Sequence, residues 1–478
     1  MPEGKARPSV MPATNVDRWR ELLRSGKLLT PSLSEEGFRI EVYLEHLADG
    51  SFLYEQRRDS LLTDFELTWL DRAASEERFE AHVDGLVLGE ELALAVCQQQ
   101  AEEGGAGELH AALRVVCWHE RKDLLDEVLE KLDGDDEEQV LAVRDALAAE
   151  LPEAWAENVV GWLADTLLWK QRVAAYVIGY RRLEAGRALL AALPQAALGV
   201  LPDLIRALGR LRVNAARTVL YNDYVQHSSE TVRAEAALAL LRLSEQAALQ
   251  HIASHERDAA WALPLIGISG SAHHGRMLAS AASPASATAL GLLGDPVAVE
   301  ALLSHLENPN LAEAAALGLY LITGHAPVEE AFVPEEMDED ELFEDELEAY
   351  RRGELPLRPD GEPYGETVER LAQDPALWRA WWSESGGRFE PGTRYRLGEP
   401  CTPLSLVRTL QAERMPRWLR QLAHEELVVR YGIDVPFESD WLVTEQQRAI
   451  VGAAQKATED SATFQPGCWY IARQLLPT

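Results

Sequence analysis

Between residues 171 and 324 the apolar positions fall at i, i+3, i+4 and i+7 around one recurring phrase: a small or aliphatic run, then Leu or Ile, then usually Gly. The phrase reads Ile178-Gly179, Leu208-Gly209, Leu240-Leu241, Ile266-Gly267, Leu290-Gly291 and Leu317-Gly318, at intervals of 30, 32, 26, 24 and 27 residues. Val173, Tyr176, Val177 and Tyr180 form one stripe, Leu204, Ala207, Leu208 and Leu211 the next, and Ala234, Ala237, Leu238 and Leu241 a third. Such a stripe marks one helix face, and a neighbour must cover it. A repeat of this length holds two short helices, so the spacing predicts an all-α chain built as a HEAT-like α-solenoid. Small anchor residues would let its helices approach closely.

The flanks depart from this pattern. From Phe38 to about Gln100, apolar positions at Val42, Leu44 and Leu47 and then at Phe52, Tyr54, Leu61 and Leu62 predict two helices broken at Asp49-Gly50. Thr63-Asp64-Phe65-Glu66 reads as a helix start. Residues 327–364 are acidic, and 327–360 hold 14 acidic and 3 basic residues. That composition buries too little to offset its ordering entropy, which predicts a mobile linker or a helix that orders on binding. Beyond Gly365, Trp378, Trp381 and Trp382 and the run Gly386 to Gly398 make an aromatic and basic patch. Helices follow, with Ser439-Asp440-Trp441 as a cap before the last, Glu445 to Lys456. The expected organisation is a tail (1–37), an N-terminal helical cap (38–105), repeats (106–326), an acidic linker (327–364) and a C-terminal helical domain (365–478).

Charge changes the picture most. The chain carries 45 basic and 79 acidic residues, a net −34, and a pI of about 4.7. Such a surface repels phosphates and anionic lipids, so neither nucleic acid nor membrane is an expected partner, whereas a basic protein is. Acidity also serves solubility alone. There is no long uncharged apolar run, and Met1 to Val16 is polar, which reads as the loose tail of a cytoplasmic protein. Cys97, Cys117, Cys401 and Cys468 lie far apart, without metal-ligand spacing, and read as free thiols in a reducing compartment.

Candidate chemistry amounts to near-misses. His119-Glu120, His255-Glu256 and His424-Glu425-Glu426 each lack the second His of a zinc helix, and Gly267 to Ser271 resembles a nucleophile elbow without its final Gly and reads as a loop. No phosphate-binding glycine motif occurs. The expectation is a protein that is not an enzyme, with no metal and no cofactor. Candidate partner-binding residues are Glu335, Glu336, Asp338, Glu339, Asp340 and Glu341 in the acidic run, and Glu230, Glu235, Asp258 and Glu313 on the repeats. The run has two readings, a solvated linker or a negative ribbon that docks in a cationic groove. Arg388, Arg394 and Arg396 could pair with the chain's own carboxylates, which would tie its two halves together without any partner.

Several phrases resemble one known family: Phe52 to Arg57, Glu77 to Leu86, Ala289 to Pro296, Leu321 to Gly324 and Gly392 to Gly398. It is a proteobacterial HEAT-like repeat family whose genes often lie beside type VI secretion toxin and spike loci. The resemblance implies a role in interbacterial competition: an immunity protein that neutralises a type VI toxin, a basic nuclease effector, by covering its active site or assembly surface. The competing implication is an adaptor or chaperone that loads an effector onto the secretion spike.

Overall fold

The computed structural model describes residues 19–21, 23, 35–62, 68–335, 342, 347, 350–353, 355–358 and 361–476. In chain order the main helices are α1 (Glu35–Leu62), α2 (Arg72–Leu88), α3 (Glu90–Glu103), α4 (Ala106–Trp118), α5 (Lys122–Lys131), α6 (Glu137–Glu150), α7 (Leu168–Arg181), α8 (Leu201–Arg210) and α9 (Glu230–Arg242). Then come α10 (Ala262–Ser269), α11 (Pro284–Leu293), α12 (Pro309–Thr323), strands β1 (Val328–Pro334) and β2 (Gly365–Leu371), α13 (Pro375–Ser385), the two-residue strands β3 (Tyr395–Arg396) and β4 (Glu399–Pro400), α14 (Arg417–Tyr431) and α15 (Val443–Glu459). The fold is predominantly helical. Shorter helices connect these elements and are named by residue below.

Two compact units divide the chain. One joins the residues up to Ile252 with Leu410–Lys456; the other joins Ala253–Thr409 with Ala457–Thr478. The division differs from the expected boundaries, because the repeats are shared between the units and the C-terminal region is split.

In the first unit α4 packs on α6, α6 on α7, α7 on α8 and α8 on α9. The anchors set how close these helices come: a Cβ on Gly209 would lie 2.8 Å from the Ala239 Cα. Below about 3 Å no side chain fits, so glycine at the anchor is a packing requirement. The apolar partners Val177, Ile178, Leu204, Leu208, Ala236 and Leu240 are buried. α1 runs unbroken through Asp49-Gly50, contrary to the expected break. A mid-helix glycine costs roughly 1 kcal/mol. Here α1 is held along its length by α2 and α4, and Gly50 faces Ala111. The helix start expected at Thr63 lies outside the described residues.

In the second unit α10 packs on α11 and α11 on α12, with Gly291 so close to Gly318 that a Cβ would sit 2.5 Å from its Cα. Gly267, Ile268 and Ser269, expected in a loop, lie within α10, and the Ser269 hydroxyl donates to the Leu265 carbonyl. Capping is regular: Ser283 precedes Pro284 and accepts from the Ser286 N–H, and Gly294 ends α11 at φ 79°. The β3 segment then closes over these helix ends, donating from Tyr395 N to Gly294 O, Leu397 N to Leu321 O and Gly398 N to Ile322 O. Three of the phrases singled out in the sequence therefore meet at one place.

Strand β1 differs from the expected mobile or helical linker. It pairs antiparallel with β2 over seven positions, from Val328 opposite Leu371 to Pro334 opposite Gly365. The ladder satisfies its backbone without a core, and Glu329 bonds Arg370 directly opposite at 3.0 Å.

Candidate functional site

The residue that follows each anchor changes character between the two units. It is apolar and buried in the second (Ile268, Leu292, Leu319) but Tyr180, Arg210 and Arg242 in the first. Those three face the chain segment that leads out of α14, Gly432 to Leu442, which carries Asp434, Glu438 and Asp440. Arg242 donates to Glu425 on α14 at 2.6 Å, to Asp434 at 2.9 Å and to the Gly209 carbonyl at 3.1 Å. Arg210 bonds Glu438, and Tyr180 meets Trp441 edge-on with ring centroids 6.0 Å apart. Further along, the Tyr176 hydroxyl donates to Asp440 at 3.4 Å. Arg57 binds both Glu76, at 2.9 Å, and the Asp440 carbonyl, at 2.5 Å. Glu76 in turn accepts from Val443 N at 2.7 Å. Ser439 and Asp440 were expected to cap the last helix; Asp440 is spent on Tyr176 instead.

Burial makes this network electrostatically distinct. Burial alone would push the Glu425 carboxyl up, but the Arg242 guanidinium outweighs it and holds it down at about 2. His424 is driven down to about 4 by burial, so it is neutral, and its Nε2 lies 2.7 Å from the Val435 carbonyl. Burial raises Glu438 to about 7 despite Arg210. Arg182 falls to about 10 through burial and the neighbouring Arg242 charge. These groups brace the Gly432–Leu442 segment against the repeats.

Beside the network lies a chamber of about 960 Å³, walled by Tyr54, His110, Arg114, Arg144, Tyr176 and Trp441 among others. Its charges are largely matched: Arg114 pairs with Glu80 at 2.8 Å and Arg144 with Asp145 at 2.7 Å. His110 stacks on Tyr54 with centroids 3.9 Å apart and is held well below its ordinary value by burial, then by Arg114. Among the described residues no group of three or more His, Cys, Asp or Glu could hold a metal ion, and no helix is long and apolar enough to cross a membrane.

The residues expected to bind a partner are not gathered into one site. Glu230 lies exposed at the start of α9, whereas Glu235 on the same helix is half-buried and bonded to Arg206 at 2.5 Å, so its charge is already matched. In the second unit Glu313 is exposed on α12, and exposed Asp258 sits 3.6 Å from Arg257. Glu335 is exposed and its N–H donates to Tyr364 O. Glu336, Asp338, Glu339, Asp340 and Glu341 lie outside the described residues. Arg394 and Arg396 are both buried and donate to main-chain carbonyls at the end of α11, Arg394 to Leu292 and Leu293 and Arg396 to Leu292. Arg388 lies over the Trp381 ring, 5.3 Å from its centroid. Trp378 is buried, with its indole N–H on the Ala372 carbonyl, and Trp381 stacks on His325 at 4.4 Å. Sequence reasoning missed the Tyr180, Arg210 and Arg242 series, although its signal, polar residues one place past an apolar anchor, is present in the chain. Compared with protein-family models and with curated proteins, the sequence matches none.

Proposed function

We propose that this chain is an immunity protein: a HEAT-like α-solenoid that binds a basic type VI secretion toxin, a nuclease effector, and neutralises it by covering its active site or assembly surface. It acts in the cytoplasm, by occupancy rather than by turnover. The solenoid reading is supported by the sequential packing of α4, α6, α7, α8 and α9 and the glycine-mediated approach of their neighbours.

The observation that carries the binding reading is where the positive charge goes. Among the described residues nine arginines are buried against five carboxylates, so setting these aside leaves a charge four units more negative than the −34 of the whole. Arg242, Arg394, Arg396 and Arg430 are consumed by internal carboxylates and carbonyls. At close range the accessible surface therefore presents a larger excess of carboxylates than composition alone suggests, while the net charge of −34 steers a cationic protein at long range. Exposed Glu230, Asp258, Glu313 and Glu335 contribute to it.

The test is co-purification with the product of the adjacent gene, followed by co-expression with that product's toxic domain. Rescue of growth together with a stable complex is expected. No complex, or secretion lost on deletion while sister cells stay unpoisoned, contradicts the reading and favours a loading adaptor.

A further inference from the structure

We propose that the chamber beside the buried network binds an aromatic carboxylate, with Arg58 taking the carboxylate and the aromatic walls stacking on the ring. All of its lining residues belong to the first unit. The inference does not rest on the toxin-binding reading.

The first support is an imbalance between acceptors and donors. The chamber's inner carboxylates are engaged: Glu76 accepts from Arg57 and Val443 N, Glu80 from Arg114, and Asp145 from Arg144 and the Tyr54 hydroxyl. Donors are left over. Arg58 lines the chamber half-buried and, among the described residues, makes no hydrogen bond or ion pair; it lies over the Tyr54 ring, 5.7 Å from the centroid. Its nitrogens are not sealed from water, so a ligand can reach them. The Tyr180 hydroxyl and the Trp441 indole N–H line the same space, also accessible and without a hydrogen bond among the described residues. His110, 5% exposed and neutral, bonds through neither ring nitrogen. An accessible guanidinium without an acceptor is matched best by a carboxylate, which it binds through two parallel hydrogen bonds.

The second support is the form of the walls. Tyr54 stacks on His110 with centroids 3.9 Å apart, Tyr176 on Tyr180 at 5.4 Å, and Trp441 meets Tyr180 edge-on. Walls of this kind take a flat ring, which gains from stacking beyond the area it buries. Asp59, Asp84 and Glu150 also line the chamber, which disfavours a doubly charged phosphate more than a singly charged acid. At about 960 Å³ the space admits a free aromatic acid or a peptide terminus that ends in one.

The experiment is calorimetric titration of the full chain with indolepropionate, beside indolepropionamide and tryptamine. N-acetylated glycyl-tryptophan and its carboxamide form the second arm. Saturable binding of at least one acid is expected, about tenfold or more tighter than its amide, and the tighter acid identifies the source. Arg58→Gln should remove the preference for acid over amide, and Arg58→Lys should keep part of it. Because Arg58 gives up no hydrogen bond or ion pair, Arg58→Gln should retain the wild-type circular dichroism spectrum. If it does not, Arg58→Lys decides: a reduced preference supports the proposal and an undiminished one overturns it. Absence of binding by both acids, amides that bind as well as acids, or an undiminished preference in folded Arg58→Gln also overturns it.

Discussion

Replacing Arg242 with Met should destabilise the first unit more than any other single change to a charged residue in it. The guanidinium is 2% exposed and holds together α9, the Gly209 carbonyl at the end of α8, Glu425 on α14 and Asp434 beyond it. Its worth can be read from its partner. The Glu425 carboxyl sits at about 2 instead of the ordinary 4.5, although burial opposes this, and a difference of that size corresponds to about 3 kcal/mol favouring the charged form. Removing one partner of a buried pair strands the other, at a cost of about 3–5 kcal/mol. The sign with pH follows from the depressed carboxyl. Its contribution is present above about 4.5 and is lost as pH falls through about 2, so wild type and variant should converge as the solution is acidified. The assay is urea unfolding at pH 7 and pH 3 read by hydrogen exchange at α9 and α14 amides, since two units need not unfold in one step. Pairing Arg242→Met with Glu425→Leu should recover most of the loss. A variant within about 1 kcal/mol of wild type at pH 7, or an equal deficit at both pH values, refutes the reasoning.

Three further changes test separate parts of the structure. Gly291→Ala forces a Cβ to 2.5 Å from the Gly318 Cα and should cost at least about 2 kcal/mol, whereas Gly161→Ala, with nothing within 4 Å, should be neutral or slightly stabilising; equal effects in thermal melts would contradict the packing. Glu438 is raised to about 7, so its protonated form is the one folding favours, and that contribution is present below about 4.5 and lost as pH rises through 7. Glu438→Gln should thus flatten the stability profile between these values and exceed wild type at pH 8 by up to about 3 kcal/mol; a less stable variant there would mean that the Arg210 pair dominates. Arg394→Met takes the side-chain donor from the Leu293 carbonyl and leaves Leu292 to Arg396 alone, and should lower the second unit's stability by about 1–3 kcal/mol, with hydrogen exchange rising at the end of α11.

The parts of the fold legible in the sequence are those set by close packing. Glycine at 179, 209, 267, 291 and 318 marks where one helix leans on the next, and no other residue type meets that constraint as well. Asp49-Gly50 misled because a local breaker was weighed without the tertiary packing of Gly50 against Ala111, which sequence periodicity does not carry. The Gly432–Leu442 segment was placed in a C-terminal domain for a similar reason. Its attachment to the first unit runs through ion pairs 192 and 228 residues apart, such as Arg242 with Asp434 and Arg210 with Glu438, and a sequence with 79 carboxylates does not single out which of them are buried. The β1–β2 ladder was hidden by its acidity, because composition favours solvation while Val328, Phe332 and Val333 still have strand geometry.

The dependence of association rate on charge tests most directly whether the acidic exterior captures a cationic protein. With the basic toxin domain that the proposed function requires, stopped-flow association rates should fall at least about fivefold between about 50 mM and 200 mM salt, and fall comparably when Glu230, Asp258 and Glu313 are changed together to Lys. A rate indifferent to both salt and charge reversal would remove the carboxylate surface from the mechanism.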